Sequence, residues 1–257
     1  MSASHAYRIL TPDDGHPAEV INPGGRAPIC LICEHASAVI PPSLGTLGLL
    51  PEHRFSHAVW DIGAETLARD LSERLDAPLV VARVSRLVYD LNRPPDAQGA
   101  MPSQTEDIPV PGNRGLSESE RAARTAEIYE PFHATVSDVL DGFSAPPAFV
   151  TIHSFTPVWK GAARETQLGL LHDSDARLAK AMLKQTGRSL VTQLNEPYSA
   201  KDGVTHTLER HAIPRGLENV MVEVRNDLLG SRADVSRISS HLAGLLAASL
   251  DMETSFV

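Results

Sequence analysis

The stretch Val84–Pro95, VSRLVYDLNRPP, places Arg86, Asp90, Asn92 and Arg93 close together among Leu87, Val88, Tyr89 and Leu91. Two guanidiniums, a carboxylate and a carboxamide can recognise an anion, because a guanidinium holds a carboxylate or oxyanion by a planar, two-pronged hydrogen bond. The apolar and aromatic residues favour a strand. A period of two then puts Arg86, Asp90 and Asn92 on one face. Pro94 and Pro95 would stop the strand, and Arg93, preceding proline, would be held extended. The same pattern also describes an edge strand with a solvated polar face, on which Asp90 screens the arginines.

Three further groups sit at the ends of apolar runs: His35 after Ile29–Cys33, His153 after Phe149–Ile152, and Glu223 within NVMVEVRND. Neutral imidazole is the commonest metal ligand, and a catalytic zinc ion takes three protein ligands. His35 and His153 are therefore candidate ligands, though a lone strand-end histidine also serves as a hydrogen-bonding residue. Asp61, at the start of a helix expected over residues 61–75, is a candidate third ligand; a helix N-cap is the other reading. Glu34 is adjacent to His35, and neighbours on an extended chain diverge. A carboxylate in so apolar a strand as that of Glu223 must be paired or functional. It reads either as a general base that deprotonates the water a metal activates, or as an ion pair with Arg225. Tyr198, Thr205 and His206, with Glu209, Arg210 and His211, could line a substrate pocket or form the polar face of a surface turn. His5, His16, His53, His57, His172 and His241 read as surface or structural residues. Cys30 and Cys33 form a CxxC inside a strand-like run, which sends the two thiols to opposite faces; with no second CxxC, they read as buried, reduced core.

These groups need a scaffold that brings strand ends together. Apolar runs at 29–33, 78–84, 149–152, 168–171, 189–194 and 220–224 alternate with helical patterns. The helices are expected over 61–75, from a Ser117/Glu120 capping box through a kink at Pro131, from Asp173 to Gly187, and around Ile238–Leu246. The class is α/β, a three-layer αβα sandwich with a mixed, largely parallel sheet, in one domain over residues 1–257 after a polar lead of residues 1–27. Open sheets of this kind bind ligands beyond the carboxyl ends of their strands. Residues 94–115 make a long polar loop of the sort that covers active sites. The 257 residues carry a net charge of −9, and no run of Lys and Arg forms the basic patch that nucleic-acid binding needs. No apolar run approaches the roughly 20 residues that span a bilayer. The N-terminus lacks a signal-peptide pattern, so a cytoplasmic protein is expected, with its oligomeric state left open.

With these residues in view, the chain resembles the N-formylglutamate amidohydrolases from about Ile29 to Val224. The resemblance rests on EHAS at His35, WDIGAE at Asp61, SRLVYDLNRPP, PFH at His133, TIHSF at His153, LNEPY at Asn195, DGVTHT at His206 and VEVRND at Glu223. The DLNR element also resembles that of the aspartoacylase and succinylglutamate desuccinylase group, relatives in the zinc carboxypeptidase-like (phosphorylase/hydrolase-like) fold. The resemblance implies a zinc amidohydrolase of histidine degradation, acting on a small anionic N-acyl amino acid such as N-formylglutamate. It implies one Zn2+ per chain held by His35, Asp61 and His153. Arg86, Asn92 and Arg93 would be substrate or oxyanion groups, and Glu223 the base. The sequence departs from the desuccinylase group at Ala38, where those proteins carry a ligating glutamate. It departs from better-studied formylglutamate hydrolases at DGVTHTLERH and VEVRND. A deacylase or peptidase with another substrate, or a metal-free module that binds anionic metabolites, are the competing readings.

Overall fold

The structure, a computed structural model, describes residues 8–252. The first seven residues of the expected polar lead, His5 among them, lie outside the described residues. In chain order come β1 (Ala18–Ile21), β2 (Ile29–Cys33), α1 (Ala64–Leu75) and β3 (Leu79–Ala82). A small hairpin, β4 (Gln104–Thr105) and β5 (Ile108–Pro109), precedes α2 (Glu118–Arg124) and α3 (Glu130–Asp141). Next are β6 (Ala148–Phe155) and a second hairpin, β7 (Val158–Trp159) with β8 (Ala162–Ala163). The chain continues through β9 (Leu168–Leu171), α4 (Arg177–Gln185), β10 (Thr192–Leu194), β11 (Asn219–Arg225) and α5 (Arg232–Ser249).

Seven strands form one sheet in the order β1-β3-β2-β6-β11-β9-β10. The run β3-β2-β6-β11 is parallel; β1 pairs antiparallel with β3, and β9 antiparallel with β11. The mixed, mainly parallel α/β sheet is thus as expected. Strand periodicity divides its side chains between two cores. Leu31, Cys33, Ile152 and Val222 meet Leu67, Leu71, Ile238 and Leu242 of α1 and α5 on one face. Cys30, Ile32 and Phe149 meet Tyr129, Phe132 and Val136 on the other. Burying each such leucine or phenylalanine contributes about 1.5–3 kcal/mol, which fixes strand register against slippage. Cys30 and Cys33 are free and buried on opposite faces, and burial pushes the Cys30 thiol up to about 12, so both stay protonated.

Several local expectations are corrected. Residues 18–21, inside the expected polar lead, form edge strand β1. Residues 84–95 are not a strand but a series of turns. Ser85 Oγ accepts from Leu87 N and donates to Val59 O, and Asp90 Oδ1 accepts from Asn92 N at 3.1 Å. Such side-chain bonds compete with a strand ladder. Leu87, Val88, Tyr89 and Leu91 are nonetheless buried, so their apolarity reflects core packing from a loop. The helix expected from residue 61 starts at Ala64 after Gly63, and Asp61 is not its cap. The helix expected from Asp173 starts at Arg177, where Asp175 rather than Asp173 accepts a backbone N–H, that of Arg177. The helix expected to kink at Pro131 instead divides at a π-helical turn, Thr125–Tyr129, just ahead of that proline, whose missing N–H cannot continue a regular ladder. The Ser117–Glu120 capping box at its start is present.

Candidate active site

The parallel strands end together, and their last residues supply the site. His35 follows β2 directly. His153 lies in β6 and stands in register with Glu223 of β11. Asp61 reaches the same point because its backbone N–H donates to His35 O at 2.9 Å. The chain then turns through Gly63, whose positive φ of 85° and contact with the Leu229 side chain leave no room for a Cβ.

Three ligand-type atoms converge. Asp61 Oδ2 lies 3.3 Å from His35 Nδ1 and 3.0 Å from His153 Nδ1, and the two Nδ1 atoms are 3.2 Å apart. Ligands about 2.0–2.1 Å from a tetrahedral zinc ion are about 3.3 Å from one another, so the triplet fits a single ion. Each ligand is also braced from behind. His35 Nε2 meets Asp90 Oδ1 at 2.7 Å. His153 Nε2 lies 3.1 Å from Glu34 Oε2, an ion-pair contact that falls off the line of a well-formed hydrogen bond. Arg86 donates to Asp61 Oδ1 at 3.2 Å and to Asp90 Oδ2 at 2.7 Å. Outward ring nitrogens facing carboxylates are the arrangement that orients metal-ligating histidines.

The charges point the same way. Glu34, Asp61, Asp90 and Glu223 are all buried, and Arg86 is the guanidinium paired with two of them. Burial alone would lower the His153 pKa, but Glu34 and Asp61 hold it well above the usual imidazole range. Burial likewise opposes ionisation of Asp90, yet Arg86 and His35 hold it well below the usual carboxylate range. So concentrated a set of buried carboxylates requires compensating positive charge. Glu223 is the exception among them in its pKa, which burial raises to about 7; its Oε2, like the Glu34 oxygens, has no hydrogen-bond partner. The ion pair expected as its alternative is absent, because Arg225 is taken by Asp227 at 2.9 Å.

This cluster opens into a cavity of about 660 Å³ whose walls include His35, Asp61, His153, Glu223, Arg86 and Asp90. Asn92, Arg93 and Tyr198 also face it, as does the 94–115 loop through Thr105 and Glu106. Asn92 is already committed: its Oδ1 accepts from Thr207 N at 2.9 Å, and its Nδ2 donates to Val204 O. Arg93 Nη1 donates to the carbonyls of Asp202 and Gly203. His206 and Thr205 do not line the cavity. His206 Nε2 meets the Tyr129 hydroxyl at 2.8 Å, and Thr205 Oγ1 donates to Glu209 at 2.7 Å. The sequence reading passed over two groups: Glu34, discounted because neighbours diverge, and Arg164. The signal for Arg164 was Lys160-Gly161, a two-residue hairpin turn with φ of 48° and 80° that folds the strap carrying Arg164 back over the sheet end.

Fold and site together define an α/β chain with a buried His-Asp-His group, able to hold a metal ion, at the carboxyl ends of its parallel strands. The sequence model of the N-formylglutamate amidohydrolases matches residues 27–229. The chain belongs to that family, whose members hydrolyse amides. It is 25% identical over 198 residues to the N-formylglutamate deformylase of Pseudomonas aeruginosa, covering 72% of this chain and 71% of that protein. A crystal structure of an Agrobacterium tumefaciens gene product shares 48% identity and superposes with a TM-score of 0.92, over 95% of this chain and 98% of that one. The N-formylglutamate amidohydrolase of Ralstonia eutropha has the same fold at 17% identity, with a TM-score of 0.68 over 92% of this chain and 98% of that one. Among the described residues, no helix is long and apolar enough to cross a membrane.

Proposed function

We propose that this protein is a zinc-dependent amidohydrolase that removes the formyl group from an acidic N-formyl amino acid such as N-formylglutamate, in the cytoplasm. The observation that carries the reading is the His35–Asp61–His153 triplet, with its ligand atoms 3.0–3.3 Å apart and a carboxylate behind each imidazole. A zinc ion held by these three residues would supply Lewis-acid polarisation of the amide carbonyl and a lowered pKa for the attacking water.

The chain's own residues account for the rest. Glu223, with an unpartnered carboxylate oxygen in the cavity wall, takes a proton from the attacking water as its oxygen bonds to the formyl carbon. The same carboxyl then delivers that proton to the amine nitrogen as the C–N bond breaks, leaving formate and the free amino acid. Asp90 fixes the tautomer of His35, and Arg86 holds Asp61 and Asp90 in place while keeping donors near the developing oxyanion. Arg93, tied to backbone carbonyls and with no carboxylate partner among the described residues, is available to a substrate carboxylate. Tyr198 and Asn92 shape the wall, while Thr205 and His206 brace the segment behind it. Assaying zinc-loaded protein against N-formylglutamate, other N-acyl amino acids and short peptides tests the proposal. Preferential release of formate from the acidic formyl substrate supports it; turnover of none of them, or preference for peptides, overturns it.

A further inference from the structure

The three arginines in the cavity wall are not equivalent. Arg86 is neutralised by two carboxylates, Asp61 and Asp90. Arg93 is tied to main-chain carbonyls. Arg164 has neither arrangement. Its guanidinium carbon lies 5.3 Å from the ring centre of Phe155 and 5.0 Å from those of Trp159 and Tyr198. Nη1 donates to Thr156 O at 3.1 Å and weakly to Thr156 Oγ1 at 3.4 Å, and Nη2 donates to the Tyr198 hydroxyl at 3.0 Å. No carboxylate pairs with it among the described residues. A guanidinium has five N–H donors, so at least two remain uncommitted.

The backbone holds this side chain in place. Arg164 N donates to Pro157 O at 2.9 Å, closing the hairpin, and Arg164 O accepts from Arg225 Nη1 at 2.8 Å, which ties that end of the strap to β11. Aromatic rings attract a guanidinium through its faces and keep water from them, which leaves its in-plane edge for an anion. A fixed, uncompensated cation in the wall of a cavity that also holds the His-Asp-His group and Glu223 has the chemistry of a carboxylate anchor.

We propose that Arg164, set among Phe155, Trp159 and Tyr198 on the 155–164 strap, is the specificity-determining residue that binds a substrate carboxylate. The assignment rests on the amidohydrolase reading and deepens it. With Arg93 it provides two cations that form no ion pair with a carboxylate among the described residues, the number that a dicarboxylic N-acyl amino acid would use.

The test compares Arg164→Gln and Arg164→Lys with the parent on N-formyl-L-glutamate and on its diamide, which lacks both carboxylates. Loss of one charge-assisted hydrogen-bonded contact should raise KM for the acid by about 10- to 100-fold in Arg164→Gln. Arg164→Lys should recover only part of this, because the two-pronged geometry is gone. Metal content should match the parent, and turnover of the diamide should fall far less than turnover of the acid, so that acid-over-diamide discrimination collapses. A discrimination ratio equal to the parent's in Arg164→Gln overturns the anchor and leaves the amidohydrolase reading standing. An independent titration follows Trp159 fluorescence on adding L-glutamate in a Trp60→Phe background, Trp60 being the only other tryptophan. Saturable quenching that Arg164→Gln abolishes supports the anchor even if no formyl substrate is hydrolysed. Absence of quenching in the parent, or equal quenching in the variant, overturns it.

Discussion

Replacing Glu223 by Gln separates two consequences of burying this carboxylate. In the metal-free protein its pKa is raised from 4.5 to about 7, chiefly by burial. A group whose folded pKa lies above its unfolded value favours folding in its protonated form. Its contribution is therefore complete below about pH 4.5 and is lost as pH rises through about 7. At 1.36 kcal/mol per unit, the ionised side chain disfavours the fold by about 3 kcal/mol at pH 8. Glu223→Gln keeps the shape and removes the charge. In chelator-treated protein it should therefore be more stable than the parent at pH 8, by up to about 3 kcal/mol, and nearly equal at pH 5. The assay is urea unfolding at the two pH values, with formate release measured on the metal-loaded protein. If Glu223 is the base, turnover falls by roughly 100-fold or more while metal is retained. Destabilisation of the variant at pH 8 would refute the burial argument, and parent-like turnover would refute the assigned role.

Arg86→Met takes from Asp61 and Asp90 the guanidinium they share; urea unfolding at pH 7 should show a loss of roughly 3 kcal/mol, the scale for breaking a buried pair, and a small loss would mean that the histidines or water compensate both carboxylates. His211 pairs with His133 at 2.8 Å, and burial followed by Arg210 lowers its pKa to about 3. With the folded value below the unfolded one, its stabilising share is complete above about pH 6.5 and is lost as pH falls toward 3; His211→Asn should flatten the acid limb of the stability profile by up to about 5 kcal/mol. Gly169, across the sheet from Glu223, admits no Cβ because the Glu196 carbonyl oxygen occupies that space. Gly169→Ala should displace the Glu196–Tyr198 wall and lower both thermal midpoint and substrate affinity; parent-like values would contradict that packing.

The parts of this protein legible in its sequence are those where one physical signal dominates. Uninterrupted apolar runs ending in His35, His153 and Glu223 announced buried parallel strands with chemistry at their ends, and the sheet has that form. Asp61 was legible as a metal-ligand candidate by type and position, yet only the fold brings its Oδ2 to two imidazoles. Residues 84–95 misled because apolar content was read as strand propensity. Ser85 and Asp90 bond their own backbone there, and the loop itself is core. Glu34 was discounted on the rule that neighbours diverge. It does diverge from His35, but toward the far nitrogen of His153, which the rule could not foresee. Arg164 carried no sequence signal beyond a hairpin turn, because its significance lies in what it lacks among the described residues: a carboxylate partner.

The most direct test of the central claim is the zinc content of the parent and of His153→Ala after zinc loading and exhaustive dialysis, with formate release from N-formylglutamate measured on the same samples. The account predicts about one zinc per chain and turnover in the parent, and neither in a His153→Ala protein with a native circular dichroism spectrum. Full zinc occupancy in His153→Ala, or a parent that turns over substrate with no metal bound, would contradict it.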